Sequence, residues 1–110
     1  MKVETQNKGS FLLLCVTENL DGVSAPDFDS GTDGWVKENP RIIIDCTHLE
    51  YLSSAGIRSL LNLARKARAH GGSLSLFNPG EITERVLTLA GFANILPMFG
   101  NLEEAAGSLK

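Results

Sequence analysis

The stretch RIIIDCTHLEYLSSAGIRSLLNLARKARAHGGSLSLF, residues 41–77, decides the fold because it places two strand-like runs around one long helical pattern. Residues 41–46 are apolar and β-branched almost throughout, which is typical of a parallel strand buried on both faces of a sheet. Residues 54–70 carry the helical pattern, and residues 73–77 form the second strand-like run. A strand, a helix and a strand in this order predict two parallel strands joined by a right-handed crossover.

The helical segment 54–70 separates its apolar and charged residues. Its apolar residues recur at the spacing of one helical face, namely Ile57, Leu60, Leu61 and Ala64. Its basic residues mostly fall off that face, namely Arg58, Arg65, Lys66 and Arg68. Gly71 suits the left-handed position that ends many helices. We therefore expect an amphipathic helix on the sheet, with basic residues that are most often solvated but could also dock an acidic partner.

The segment before this unit predicts a β-hairpin. Residues 2–6 and 10–16 are strand-like, and Gly9 between them can supply the positive φ of a tight turn. The second run is apolar almost throughout, so we expect it to lie centrally and to be covered on both faces. Asp21 follows it in a loop.

A helix over residues 25–37 is predicted between the hairpin and the central unit. Gly31 and Gly34 weaken it, because each glycine costs roughly 1 kcal/mol relative to alanine in a helix interior. Pro40 ends it.

A further helix is predicted after the central unit, where Asn78 is a candidate cap, a proline follows, and Glu81 comes three positions on. Its apolar stripe should be buried and consists of Ile82, Val86 and Leu89. Gly91 ends this helix.

The C-terminal part contains a short apolar piece at residues 95–99 and a short helix over residues 102–109, which Asn101 and Glu104 begin. The whole chain, residues 1–110, is then one small α/β domain. We expect a mostly parallel central sheet with an N-terminal hairpin and with helices packed on it.

Composition excludes several classes of protein. The net charge of −3 argues against a nucleic-acid binder, and no apolar run is long enough to insert into a membrane. The polar N-terminus MKVETQNKG has no apolar signal core, so we expect a cytoplasmic protein. Cys15 and Cys46 lie inside apolar runs, which favours buried free thiols over a disulfide or a metal site.

Few residues suggest catalysis. His48 and His70 have no metal-ligand spacing, and a histidine in a last helical turn usually caps carbonyl groups. Asp45 ends a predicted strand, where catalytic carboxylates often lie, but accepting loop hydrogen bonds is the better interpretation. No glycine-rich phosphate loop is present. We therefore expect no catalytic residues, no metal and no cofactor, and a protein that is not an enzyme.

The sequence Ser53-Ser54-Ala55-Gly56 permits two interpretations. In the structural one, Ser53 caps the helix, Ser54 is its first residue and Gly56 allows close packing. In the functional one, a hydroxyl group in the first turn lies beside unpaired N–H groups and the positive end of the helix dipole, so a phosphate group would be stabilised there. A catalytic serine is a third option, but no histidine or lysine is placed by sequence to activate it.

Residues 40–107 resemble the STAS domain family, the sulfate-transporter and anti-sigma-factor-antagonist domains, and are most similar to stand-alone bacterial anti-anti-sigma factors. The matching features are a strand that ends Ile-Asp, the Ser-Ser-Ala-Gly-Ile helix start, Gly-Gly after the helix, Asn-Pro before the next helix, Leu-Ala-Gly-Phe, and Leu-Glu-Glu-Ala. The segment LDGVSAPDF, residues 20–28, resembles the family's Leu-Asp loop more weakly.

The resemblance implies that Ser54 is phosphorylated. The family often has Asp-Ser-Ser-Gly at this site; here Ser53 replaces the aspartate, which makes Ser53 a second, weaker target, and Ala55 replaces the second serine. It also implies partner switching: the unphosphorylated protein binds an anti-sigma factor that is a serine kinase of the histidine-kinase-like ATPase type, and a PP2C-like serine phosphatase reverses the phosphorylation. We expect the partner to cover a surface that comprises Asp21, Ser53, Ser54, Ala55, Gly56 and Arg58.

Two alternatives stay open. One is a STAS subunit that docks constitutively in a transporter or signalling complex without phosphorylation. The other is a small enzyme that uses Asp45 or Ser54.

Overall fold

The chain forms one six-stranded sheet and four helices in a computed structural model that describes all 110 residues. The strands are β1 Lys2–Asn7, β2 Leu12–Leu20, β3 Arg41–Asp45, β4 Leu49–Leu52, β5 Ser73–Phe77 and β6 Met98–Phe99. The helices are α1 Ala25–Glu38, α2 Ser54–Ala69, α3 Glu81–Leu89 and α4 Leu102–Gly107. None of the four helices combines the length and the apolar character that a membrane span requires.

The sheet has the mostly parallel topology that the sequence predicts. Its order is β1-β2-β3-β5-β6, and β4 pairs with β2 beside this path. Only β1 runs antiparallel, and it forms the predicted hairpin with β2 around Gly9, whose φ is +85°. β3 and β5 pair in parallel, from Arg41 with Ser73 to Asp45 with Phe77. The strand–helix–strand unit of residues 41–77 is therefore confirmed.

The two faces of the sheet are covered unequally. Ile42 and Ile44 of β3 point into a core of 17 buried residues, to which α1, α2 and Leu87 of α3 contribute. Ile43 points the other way, into a cluster of only four buried residues that includes Ala105 of the short helix α4 and Leu109 just after it. One face thus carries the main core, whereas the other is covered only where α4 crosses it.

This inequality explains the different surroundings of the two cysteines. Cys46 is buried, as predicted, and burial raises the pKa of its thiol to about 12. The prediction that Cys15 is also buried is only partly right, because Cys15 faces the sparsely covered side and stays half-exposed. Desolvation and the nearby Asp45 raise the pKa of Cys15. Both thiols are free.

Strand β4 is absent from the sequence-based prediction, which treats residues 47–52 as loop. It has only four residues, half-buried or exposed, so it lacks the long apolar run that identifies β3. It forms because β2 continues to Leu20, beyond its predicted end at residue 16, and pairs with β4 from Glu18 with Leu49 to Leu20 with Leu52.

Helix α3 differs from the prediction in its start and in its buried face. Gly80 is the N-cap, whereas Asn78 adopts a left-handed conformation with φ of +57°. The predicted buried stripe is wrong: Ile82 is 80%, Val86 46% and Leu89 81% exposed. Leu87 is the only buried residue of α3, because the helix meets the core along a neighbouring face.

Candidate functional site

The first turn of α2 begins directly after β4. Ser53 has an extended backbone, and its side chain accepts a hydrogen bond from the N–H group of Gly56 at 3.2 Å. This is the geometry of an N-cap, and the predicted capping role of Ser53 is confirmed.

Gly56 allows this turn to pack directly against the end of β2. A Cβ atom at Gly56 would lie 2.3 Å from the carbonyl oxygen of Leu20, a distance that real Cβ atoms do not adopt. The N–H group of Ser53 donates to the same carbonyl oxygen at 3.0 Å. The predicted close packing at Gly56 is confirmed, and because Gly56 is buried it supports the site from beneath.

Ser54 is the first residue of α2 and is exposed. No intramolecular hydrogen bond engages its hydroxyl group, since the capping role falls to Ser53. Ala55 is half-buried, and the exposed Arg58 lies about one turn further along the helix. The Ser54 hydroxyl is thus free in solvent, at the positive end of the helix dipole.

Asp21 immediately follows Leu20, so its loop borders the start of α2. One carboxylate oxygen of Asp21 accepts hydrogen bonds from the N–H groups of Val23, at 3.0 Å, and Ser24, at 3.1 Å. The hydroxyl group of Ser24 accepts from the N–H group of Asp21 in return, at 3.0 Å. The backbone hydrogen bond from Ser24 is the largest cause of the lowered pKa of Asp21. The loop therefore presents a fixed, ionised carboxylate.

The structure thus brings Asp21 and the Ser53–Gly56 turn to one edge of the domain through Leu20. Arg58 extends that edge along α2. Asp21 has Leu20 as its chain neighbour, and Ser53 and Gly56 both contact the carbonyl group of Leu20. Asp21 and the Ser53–Gly56 turn lie far apart in the sequence, and their meeting point at Leu20 has no local signal.

Asp45 and His70, two of the other candidate residues, have structural roles. Asp45 accepts hydrogen bonds from the N–H group of Thr47, at 3.0 Å, and from its hydroxyl group, at 2.6 Å, which agrees with the predicted loop role. His70 lies at the end of α2 with Nδ1 2.9 Å from the carbonyl oxygen of Lys66, as expected of a capping histidine. His48 is exposed, and no group of three or more His, Cys, Asp or Glu residues could hold a metal ion.

One basic residue of α2 has a structural partner that the sequence did not suggest. Lys66 donates to the buried hydroxyl group of Thr32 at 2.8 Å and to the Asp33 carboxylate at 2.9 Å, and so joins α2 to α1. The hydrogen bond from Lys66 is the largest cause of the lowered pKa of Asp33. Lys66 is therefore not part of a purely solvated face.

An apolar groove beside the first turn of α2 was also missed. It lies between β4, α2 and α3, encloses about 260 Å³, and is lined chiefly by Tyr51, Leu52, Ile57, Ile82, Val86 and Leu87. No sequence signal marks it, because β4 was not predicted and the apolar stripe of α3 was assigned to the core.

Comparisons with known proteins agree with this architecture. The sequence profile of the STAS domain matches residues 2–105. BtrV of Bordetella bronchiseptica, named as a candidate anti-sigma factor antagonist, is 28% identical over 111 residues, which cover 100% of this chain and 96% of BtrV.

Two solved structures share the fold. A candidate anti-sigma factor antagonist from Thermotoga maritima superposes with a TM-score of 0.87 at 20% identity, over 96% of this chain and 92% of that one. The anti-sigma factor antagonist SpoIIAA of Bacillus, in its unphosphorylated form, superposes with a TM-score of 0.73 at 18% identity, over 96% of this chain and 94% of that one.

Proposed function

This chain belongs to the STAS domain family, and on that premise we propose that it is an anti-sigma factor antagonist controlled by phosphorylation of Ser54. The unphosphorylated protein binds an anti-sigma factor through the surface formed by Asp21, the Ser53–Gly56 turn and Arg58. Binding sequesters the anti-sigma factor and releases the sigma factor that it holds.

The phosphoryl chemistry belongs to the partners. The anti-sigma factor is a serine kinase of the histidine-kinase-like ATPase type, which transfers the γ-phosphoryl group of ATP to the Ser54 oxygen; ADP leaves, and the hydroxyl proton passes to the kinase or to solvent. A PP2C-like serine phosphatase hydrolyses the phosphoserine and restores binding. This chain is then a substrate and a switch in the cytoplasm, and not an enzyme.

The observation that carries the proposal is the exposed, unbonded Ser54 hydroxyl group in the first turn of α2. Since Ser53 supplies the cap, a phosphate group on Ser54 breaks no hydrogen bond of the fold. A negative charge there stabilises the free helix by roughly 0.3–1 kcal/mol through the helix dipole. The same charge, desolvated beneath a bound partner without a matching cation, costs several kcal/mol of affinity.

The named relatives support this assignment. BtrV and the proteins of the two superposed structures are named as anti-sigma factor antagonists. SpoIIAA has also been solved in a phosphorylated form, at 16% identity to this chain and a TM-score of 0.72.

The site is tested by incubating the purified chain with ATP, Mg²⁺ and each candidate anti-sigma kinase of the same genome, followed by intact-mass analysis and peptide mapping. We expect one phosphate group, on Ser54. A phosphate on Ser53 or Ser59 would show that the assigned register is wrong; Ser59 is a stringent control because it is buried. Stable binding without any phosphorylation would instead favour a constitutive docking subunit.

The switch is tested by measuring the affinity of the same anti-sigma factor for two variants. Ser54→Asp should weaken binding at least about tenfold, which corresponds to about 1.4 kcal/mol. Ser54→Ala should bind like the wild type and accept no phosphate. If Ser54→Asp binds as tightly as the wild type, charge at this position is not the switch.

A further inference from the structure

The apolar groove is formed by three elements that meet beside the first turn of α2. Tyr51 and Leu52 come from β4, Ile57 from α2, and Ile82 and Val86 from α3. The groove holds about 260 Å³, enough for one or two large side chains rather than for a cofactor.

The walls of the groove are unusually exposed for apolar side chains. Tyr51 is 57%, Ile82 80% and Val86 46% exposed, and all three line the same groove. Apolar residues scattered singly over a surface need no explanation, whereas exposed apolar side chains that line one groove form a candidate contact surface.

The groove is continuous with the surface proposed to bind the anti-sigma factor. Leu52 is the residue before the cap Ser53, and Ile57 lies within one turn of Ser54 on α2. A single partner surface can therefore cover the Ser54 hydroxyl group and the opening of the groove at the same time.

The charges beside the groove indicate the chemistry of the occupant. Glu50 is the only charged residue among those that line the groove; Arg58 and Arg85, the chain neighbours of Ile57 and Val86, lie outside the lining, as Glu81 does. If two copies packed groove against groove, both Glu50 carboxylates would be desolvated with no cation in either lining to pair with them. An apolar segment that carries a lysine or arginine beside it fits both the walls and the charge.

We propose that the groove between β4, α2 and α3 receives an apolar segment of the anti-sigma factor, an aliphatic or aromatic side chain flanked by a basic residue that pairs with Glu50. This inference rests on the proposed function, because it extends the same interface. The groove then contributes binding affinity that does not depend on Ser54, while phosphorylation of Ser54 controls whether the partner binds.

The test compares two equally exposed residues of one helix. Ile82 lines the groove and is 80% exposed; Leu89 is 81% exposed and lies outside the lining. We expect Ile82→Ser to weaken binding of the purified anti-sigma factor about tenfold, since burial of one aliphatic side chain contributes that order of affinity. Leu89→Ser should change the affinity less than about threefold. Thermal melts of both variants check that the fold is retained.

A charge reversal tests the nature of the flanking residue. Glu50→Lys should weaken binding, and the loss should shrink as the salt concentration rises. Glu103→Lys, on α4 at the other face of the sheet, is the matched control and should bind like the wild type.

The outcomes separate this inference from the proposed function. If no anti-sigma factor of the genome binds the wild type, both fail. If Ser54→Asp weakens binding while Ile82→Ser and Leu89→Ser bind like the wild type, the proposed function stands and the groove inference is overturned. It is also overturned if sedimentation shows that the chain alone forms a dimer that Ile82→Ser dissociates, because the occupant is then a second copy.

Discussion

Helices α2 and α3 both place apolar residues along one face, yet the domain uses the two faces in opposite ways. In α2, Leu60, Leu63, Ala64 and Ala67 are buried against the sheet and α1. In α3, three of the four large apolar residues are exposed by 46% or more, and only Leu87 is buried. Amphipathic spacing therefore identifies an apolar face but does not tell what covers it.

The position of each helix in the topology accounts for the difference. Helix α2 follows β4 and leads into β5, which completes the crossover from β3 near the middle of the sheet, and it packs against both β5 and α1. Helix α3 joins β5 to the two-residue edge strand β6, so there is little sheet for it to cover. It is held through Leu87, Ile82 and Val86 line the groove beside Ser54, and Leu89 lies in solvent outside the groove.

The largest effect expected from this comparison is on the free energy of unfolding. Leu63→Ala in α2 should cost about 2–5 kcal/mol, because Leu63 is fully buried and its truncation leaves a cavity. Ile82→Ala in α3 should change stability by less than about 0.5 kcal/mol, since the side chain is already in solvent. Urea denaturation of both variants measures the two values, and equal losses would mean that α3 is packed as tightly as α2.

A smaller effect is expected at the glycines, and it tests how α2 is anchored. Gly56→Ala should destabilise the protein by about 1–3 kcal/mol, because its Cβ would overlap the Leu20 carbonyl oxygen. Gly34→Ala in α1 is the matched control, since a Cβ there meets no atom within 4 Å. It should stabilise the helix by about 0.5–1 kcal/mol. If the melting temperature of Gly56→Ala is as high as that of Gly34→Ala, the contact with Leu20 does not hold the first turn of α2.

The smallest effect separates the two serines at the start of α2. Ser53→Ala should cost about 0.5–2 kcal/mol, because it removes the cap on the Gly56 N–H group. Ser54→Ala should leave the melting temperature nearly unchanged, since its hydroxyl group makes no hydrogen bond. The reverse order of the two losses in thermal melts would make Ser54 a structural hydroxyl group and remove the main support for a switch there.

Most of the fold was predictable because it depends on local pattern. The strand–helix–strand unit of residues 41–77, the hairpin at Gly9 and the end of α2 at Gly71 follow from periodicity and from residues that tolerate positive φ. The cap at Ser53 was predictable for the same reason, since an N-cap bonds to a group three residues away. The prediction that Ser54 rather than Ser53 is the phosphorylated residue rests on the resemblance to the STAS family, because the local argument from the first helical turn applies to both hydroxyl groups.

What the sequence determined by itself was the order of the elements other than β4, the class of fold and the start of α2, because these are set by neighbours within a few residues along the chain. Only the tertiary structure decided that β4 pairs with the end of β2, that Leu20 anchors the turn that carries Ser54, and that α3 leaves its apolar face open. Each of these results depends on contacts between segments far apart in sequence. The periodicity of apolar residues cannot predict such contacts, because it shows which face of an element is apolar but not which other element packs against that face.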